Sequence, residues 1–227
     1  MNAPRRVSGA TDGPEAGAEG GDIGKGAILP RSRARLSLRA FAMLSSSKVT
    51  LPLQVHMPDV DRARVVRAAE RDLAAVAELA RVIWRKHYPG IITLEQIEYM
   101  LALGYSLDAL RRFITEEGAG LDLAYVGEAL AGFAAYYRPG PPDELKLDKL
   151  YVHQDFQGRG VGRSLIASTE AAAMAQRRTT LILNVNKQNL QAIRAYERNG
   201  FLVREGVVVD IGGGFVMDDY VMAKRLA

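Results

Sequence analysis

Gln157-Gly158-Arg159-Gly160-Val161-Gly162 stands between an alternating strand pattern, Leu145–Val152, and an alanine-rich segment, Val161–Gln176, whose apolar spacing is helical. A strand that passes through a glycine turn straight into a helix presents, at that turn, the helix's first unpaired N–H groups and the positive end of its dipole. Glycines let such a backbone approach a ligand closely, so the turn is a candidate phosphate cradle. Two well-known nucleotide loops do not fit it. A P-loop needs a glycine five residues before Gly-Lys-Ser/Thr, whereas Gly162-Arg163-Ser164 has Gln157 at that place and Arg163 for the lysine. The dinucleotide fingerprint needs a small residue where Arg163 stands. Taken alone, the turn reads as a plain glycine-rich connection.

Outward from the turn the period of the apolar residues keeps changing. In the strand before it, Leu145, Leu147, Lys149 and Tyr151 alternate with Lys146, Asp148, Leu150 and Val152. Further upstream, Asp122–Gly127 and Leu130–Arg138 read as a hairpin around Glu128-Ala129. Arg64–Ala68 is a short strand, and Asp72–Lys86 carries Leu73, Val76, Leu79, Ala80 and Ile83 at helical spacing, stopped by Pro89-Gly90. Thr93 with Gln96 predicts a capping box and a short helix through Met100, and Ser106 caps another running to Glu116. Downstream follow a strand at Thr179–Val185, a helix at Leu190–Arg198 stopped by Asn199-Gly200, and strands at Phe201–Asp210 and Val216–Lys224. The order predicts an α+β domain, a mixed sheet flanked by helices.

Residues 1–62 differ in kind. The segment up to Leu29 is rich in Gly, Ala, Pro and Glu without periodicity, and Arg31 to Lys48 is basic and free of acids. We read 1–62 as a disordered leader and 63–227 as the domain; a transit peptide, or initiation near Met57, are the other readings of the first part. Of the net charge of +4, three come from this segment, with nine Lys/Arg against six Asp/Glu, while the rest holds 21 against 20. The domain is therefore nearly neutral and shows no basic stripe, which argues against nucleic acid as a partner. There is no cysteine, and His56, His87 and His153 lie far apart, so neither a thiolate nucleophile nor a metal site is expected. No apolar run is long enough for a membrane span, and a cytoplasmic location is the default expectation.

Three stretches together resemble the GNAT N-acetyltransferase family: the turn, as Gln157-x-x-Gly160-x-Gly162; Asn189-x-x-Ala192-x-x-x-Tyr196 followed by Glu197, Gly200 and Phe201; and the strand Leu147-Asp148-Lys149-Leu150-Tyr151-Val152. The likeness runs from Arg64 to Leu226. It implies a central, mostly antiparallel twisted sheet splayed between its fourth and fifth strands, with acetyl-CoA as cosubstrate and no metal. It further implies that Gln157, Gly158, Arg159, Gly160, Val161 and Gly162, helped by Arg163, hold the pyrophosphate, and that Leu150, Tyr151 and Val152 contact the pantetheine arm through the main chain. Tyr196 corresponds to the family's tyrosine that protonates the leaving thiolate; its other reading is a core aromatic. Asn189 bonds the cofactor, caps its helix, or both.

The base is less determined. Asp148 lies where relatives place a Glu, a His or an ordered water, and its other reading is an ion pair with a neighbouring Lys or Arg; His153 falls past the strand end. The elements that wall the acceptor site in this family contribute Trp84, His87, Tyr88, Tyr99, Tyr105, Asp218, Asp219 and Tyr220 here. Aromatics with acids suit a cationic amine, and the segment is loosely similar to bacterial polyamine or spermidine-type acetyltransferases; alternatively the rings are core and the acids face water. The expected activity is acetyl transfer to a small primary amine by direct attack in a ternary complex. A protein N-terminus or lysine as acceptor, and a noncatalytic acyl-CoA-binding module, stay open, as does a homodimer.

Overall fold

The computed structural model describes residues 63–227; the leader, transit-peptide and start-site readings of residues 1–62 lie outside the described residues. Seven strands form one sheet: β1 (Arg64–Arg67), β2 (Gly120–Val126), β3 (Ala129–Tyr137), β4 (Glu144–Val152), β5 (Thr180–Asn186), β6 (Leu202–Gly212) and β7 (Phe215–Arg225), in spatial order β1-β2-β3-β4-β5-β7-β6. Neighbours are antiparallel except β4 and β5, which run parallel. The helices are α1 (Leu73–His87), α2 (Leu94–Gly104), α3 (Leu107–Thr115), α4 (Val161–Ala175) and α5 (Leu190–Arg198). Among the described residues no helix is long and apolar enough to cross a membrane.

The helices form where their apolar stripe and caps agree. Leu73, Val76, Ala77, Ala80, Ile83 and Trp84 line the buried face of α1 at the spacing of one helix side. Thr93 accepts the Gln96 N–H and Ser106 the Ala109 N–H, each occupying a donor that the first helical turn leaves free. Three expectations from the sequence are corrected. The Gln96 side chain does not close a capping box; its amide donates to Val216 O, and α2 runs on to Gly104 rather than Met100 because Ile97 and Leu101 continue its buried face. The hairpin turns at Gly127-Glu128, where Gly127 takes φ 58°, so β3 begins at Ala129.

One face of the sheet packs on α1–α3 around Leu121, Leu123, Phe133 and Ala135. The other packs on α4 and α5 around Ala134, Tyr136, Leu145, Leu147 and Leu183. The alternation read along β4 does not persist. Ala135 faces Lys149 and Tyr136 faces Leu147, so Asp148 is one residue too many for β3: a β-bulge. Leu145 and Leu147 join the α4 face, whereas Tyr151 packs on the α1 face. The bulge coincides with the end of the β4–β5 ladder, whose last register pair is Leu147 with Leu183. Beyond it β5 pairs only with β7, and the two parallel strands part.

Close packing across β3 and β4 depends on Gly132. A Cβ there would lie 2.5 Å from Tyr151 O and 3.3 Å from Val152 Cα, and neither atom is a side chain that can swing away. Gly132→Ala is expected to destabilise the fold by about 1–3 kcal/mol, lowering the melting temperature by roughly 2–10 °C; a thermal melt within 1 °C of wild type would contradict this packing.

Candidate active site

The parting of β4 and β5 opens a cavity of about 740 Å³. Its walls are the end of β4, the glycine turn, the first turn of α4, the ends of β5 and α5, the C-terminal half of α1, part of α2, and the β6–β7 hairpin. His153 N–H bonds Ala131 O across to β3. Because antiparallel pairing alternates, Leu150 and Val152 turn their main-chain groups to the opened side.

At the turn, Gly158 and Gly160 have φ of 76° and 79°, a region that side-chain-bearing residues avoid. Gly160 is the N-cap of α4 and supplies no side-chain cap. Ser164 N–H, bonded to Gly160 O, is the first amide of α4 with an intrahelical acceptor, so the amides of Val161, Gly162 and Arg163 precede the ladder at its positive end. A Cβ on Gly160 would meet nothing within 4 Å, so the space in front of the turn is open. Gln157, Gly158, Gly160, Val161, Gly162 and Arg163 line the cavity. Arg159 does not; its guanidinium sits 5.6 Å from the centre of the Phe156 ring. The Gln157 side chain, though exposed, bonds the protein, donating to Val152 O at 3.4 Å and accepting from Gln191 at 3.2 Å, so it ties β4 to α5.

Asn189 caps α5, its Oδ1 accepting the Ala192 N–H at 3.2 Å, while also lining the cavity. Tyr196, one face of α5 further on, lines the cavity with its ring edge-on to Phe201 at 5.8 Å. Burial alone pushes its hydroxyl up to about 12, so the phenol is protonated throughout the physiological range. Asp148, on the bulge, lines the cavity and forms an ion pair with Lys149 at 2.8 Å, the pairing with a neighbouring cation expected as its alternative to the base role. His153 lies past β4 and accepts the Asp155 N–H at 3.3 Å.

Along another wall of the cavity an aromatic cluster spans α1 and β4. Trp84 stacks on Tyr88 at 4.2 Å and donates its Nε1–H to Tyr105 Oη at 3.1 Å, while the hydroxyls of Tyr88 and Tyr151 lie 3.4 Å apart. Burial pushes the Tyr88, Tyr105 and Tyr151 phenols well up. Trp84, Tyr88 and Tyr105 are core, with the partly buried Tyr151 packed against them, and Trp84, His87, Tyr88, Tyr105 and Tyr151 also line the cavity. Tyr99 donates to Ile211 O at 2.7 Å and Gln96 to Val216 O at 3.0 Å, so α2 grips the tip of the β6–β7 hairpin.

The two adjacent acids of β7 part company. Asp219 lines the cavity and is 6% exposed. The side chain of Asp218, 55% exposed, is ion-paired with Lys187 and does not reach the cavity; successive residues of a strand point to opposite faces. Lys187 also approaches the Tyr220 ring, 5.5 Å from its centre. Sequence reasoning passed over Asn184 and Lys146, which line the cavity beside Asp219. The signal for Asn184 was present: a polar residue inside the apolar run Leu181-Ile182-Leu183 and Val185.

Residues 74–201 match the family described as Acetyltransferase (GNAT) family. A spermidine N(1)-acetyltransferase of Thermoplasma acidophilum is 27% identical over 151 residues, covering 65% of this chain and 90% of that protein. An uncharacterized N-acetyltransferase of Mycobacterium tuberculosis is 25% identical over 138 residues, covering 61% and 87%. Among solved structures, the PaiA N-acetyltransferase from Thermoplasma acidophilum in complex with coenzyme A superposes with a TM-score of 0.62 at 24% identity, covering 73% of this chain and 99% of that one, a likeness of fold.

Proposed function

The chain belongs to the acetyltransferase (GNAT) family, and from that premise we propose that it moves an acetyl group from acetyl-CoA to the primary amine of a small cationic acceptor, by direct attack in a ternary complex. The observation that carries the proposal is that one cavity holds both an open helix N-terminus suited to phosphate and a buried carboxylate among aromatic rings suited to an ammonium group. The amides of Val161, Gly162 and Arg163 receive the pyrophosphate, with the Arg163 side chain beside it. The pantetheine arm takes the place on β4 that β5 vacates, meeting the main chain at Leu150 and Val152 around Tyr151. Asn189 holds the start of α5 so that Tyr196 reaches the sulfur.

An acetyl thioester is already activated, so positioning supplies most of the rate, up to ~7–11 kcal/mol in ideal geometry. Trp84, His87 and Tyr88 form the wall against which the acceptor's carbon chain and charge rest. A small acceptor is favoured over a polypeptide because α2 is tied to the hairpin tip through Tyr99 and Gln96, which gives that side a cup. The resemblance to a spermidine acetyltransferase supports a polyamine as the first acceptor to try.

The test is thiol release from acetyl-CoA with spermidine and other small amines, with a lysine peptide, with a free protein N-terminus, and with no acceptor. Acceptor-dependent release with small amines at least tenfold faster than with peptides is expected. Preference for a peptide would replace the acceptor class, and tight CoA binding without release for any acceptor would make the chain a binding module.

A further inference from the structure

Two carboxylates are buried among the described residues, and they are treated differently. Asp122 is paired: Arg67 stands 3.3 Å from one oxygen, and Ser168 Oγ donates to the other at 2.7 Å. Asp219 keeps one oxygen, Oδ1, without any hydrogen-bond partner, and its side chain faces the cavity. A buried polar atom left unpaired costs free energy, so an unpaired carboxylate oxygen inside a reaction cavity is a place where a ligand supplies the missing donor.

We infer that Asp219 receives the ammonium group of the acceptor and takes one of its protons before the amine attacks the thioester. The inference rests on the transferase reading above and gives the proton-accepting task to β7 rather than to Asp148, whose carboxylate is already engaged by Lys149. The surroundings fit the task. Asn184 from β5, Lys146 from β4 and Lys187 after β5 favour its charge, whereas the adjacent Asp218 opposes it. Burial outweighs the favourable neighbours and raises the carboxyl above the ordinary aspartate range, toward the pH at which it is useful as a base. From α1 and α5, the phenols of Tyr88 and Tyr196 line the same cavity as Asp219. His87 and Arg198 line the remainder of that cavity.

The protons balance. The ammonium gives one proton to Asp219; the freed nitrogen lone pair forms the C–N bond at the thioester carbonyl; the C–S bond breaks and its electron pair stays on sulfur. Tyr196 gives its hydroxyl proton to that sulfur and recovers one from the nitrogen, now cationic, as the amide forms. Protonated Asp219 then releases its proton to water. The net products are the N-acetylated amine, the free thiol and one proton.

The experiment is Asp219→Asn in the full chain, an isosteric change that removes the charge. Turnover with the best acceptor is expected to fall about 100-fold, with the dissociation constant for CoA within about twofold of wild type. The residual rate should climb about tenfold per pH unit between pH 7 and 9, because only free amine then reacts. Wild type should level off once Asp219 is ionised.

Stability supplies a readout that lost folding would move the other way. A carboxyl held above its unfolded value contributes stability that is full below about pH 4 and is lost as pH rises through its folded value. The asparagine variant escapes that loss and should melt at or above the wild-type temperature at pH 8. In wild type, carboxyl ¹³C NMR should show one aspartate signal, absent from the variant, that shifts when spermidine is added to the CoA complex. A variant with wild-type pH dependence and less than a fivefold loss of turnover would overturn the role of Asp219 while the transferase reading stands. A wild-type chain that releases no thiol with any amine would overturn both.

Discussion

Replacing Tyr196 by phenylalanine is expected to lower turnover by about 100-fold or more while CoA affinity changes by no more than about twofold. The hydroxyl is the only thing removed, and its ring contact with Phe201 is kept. Burial raises the phenol to about 12, with no charge or hydrogen bond contributing, so the group is neutral in the folded protein at working pH and its loss uncovers no buried ion. The same value says how the proton must travel. An ordinary thiol ionises near pH 8.5, so handing a proton outright from such a phenol to a free thiolate is uphill by several kcal/mol. The transfer becomes favourable when the phenol oxygen is repaid at once by the cationic nitrogen of the collapsing adduct. In the proposed mechanism Tyr196 is thus a shuttle between nitrogen and sulfur, needed only when the C–S bond breaks. Measured kcat and KM for both substrates, with CoA titration, check it; an unchanged kcat would remove Tyr196 from the chemistry.

Gly160→Asp is expected to weaken CoA binding by about 10–100-fold, or roughly 1.4–2.7 kcal/mol, with a smaller effect on folding. Nothing lies within 4 Å of the position a Cβ would take, so the side chain does not collide with the protein. Its backbone cost is that of φ 79°, about 1–2 kcal/mol for a residue with a side chain. The larger effect is on the ligand. A carboxylate at the N-cap is attracted to the amides of Val161, Gly162 and Arg163, the donors proposed for the pyrophosphate, and would repel phosphates placed there. Gly160→Ala separates the two effects, since it has the strain without the charge and should bind CoA several-fold better than the aspartate variant. Isothermal titration with CoA measures both; an aspartate variant that binds like wild type would remove the turn from the phosphate site.

Much of this architecture is legible along the chain because it is local. Caps at Thr93 and Ser106, the apolar stripe of α1, the glycine turn into α4 and the Asn189–Tyr196 spacing each depend on residues within a few positions of one another. The failures are at places where distant strands decide. The bulge at Asp148 is invisible in Leu145–Val152, since an extra residue exists only relative to β3. Gln96 has the right spacing to close a capping box, yet its amide bonds a carbonyl of the β6–β7 hairpin far along the chain. Asp218 and Asp219 are equivalent candidates in the sequence, although adjacent strand residues face opposite ways; which of them meets the cavity depends on the register of β7 against β5, where Asp219 faces Asn186.

The glycine turn, the strand that leads into it and the tyrosine helix beyond, read together in order, were enough to identify the donor: positive-φ glycines and a helix's free amides are local properties that any phosphate will find. The side proposed for the acceptor was decided only in three dimensions. A β-bulge parts β4 from β5, α2 grips the hairpin, and the β7 register buries one carboxylate of two, leaving an oxygen unpaired in the space between. Burial and an absent partner are properties of packing, and no stretch of residues carries them by itself.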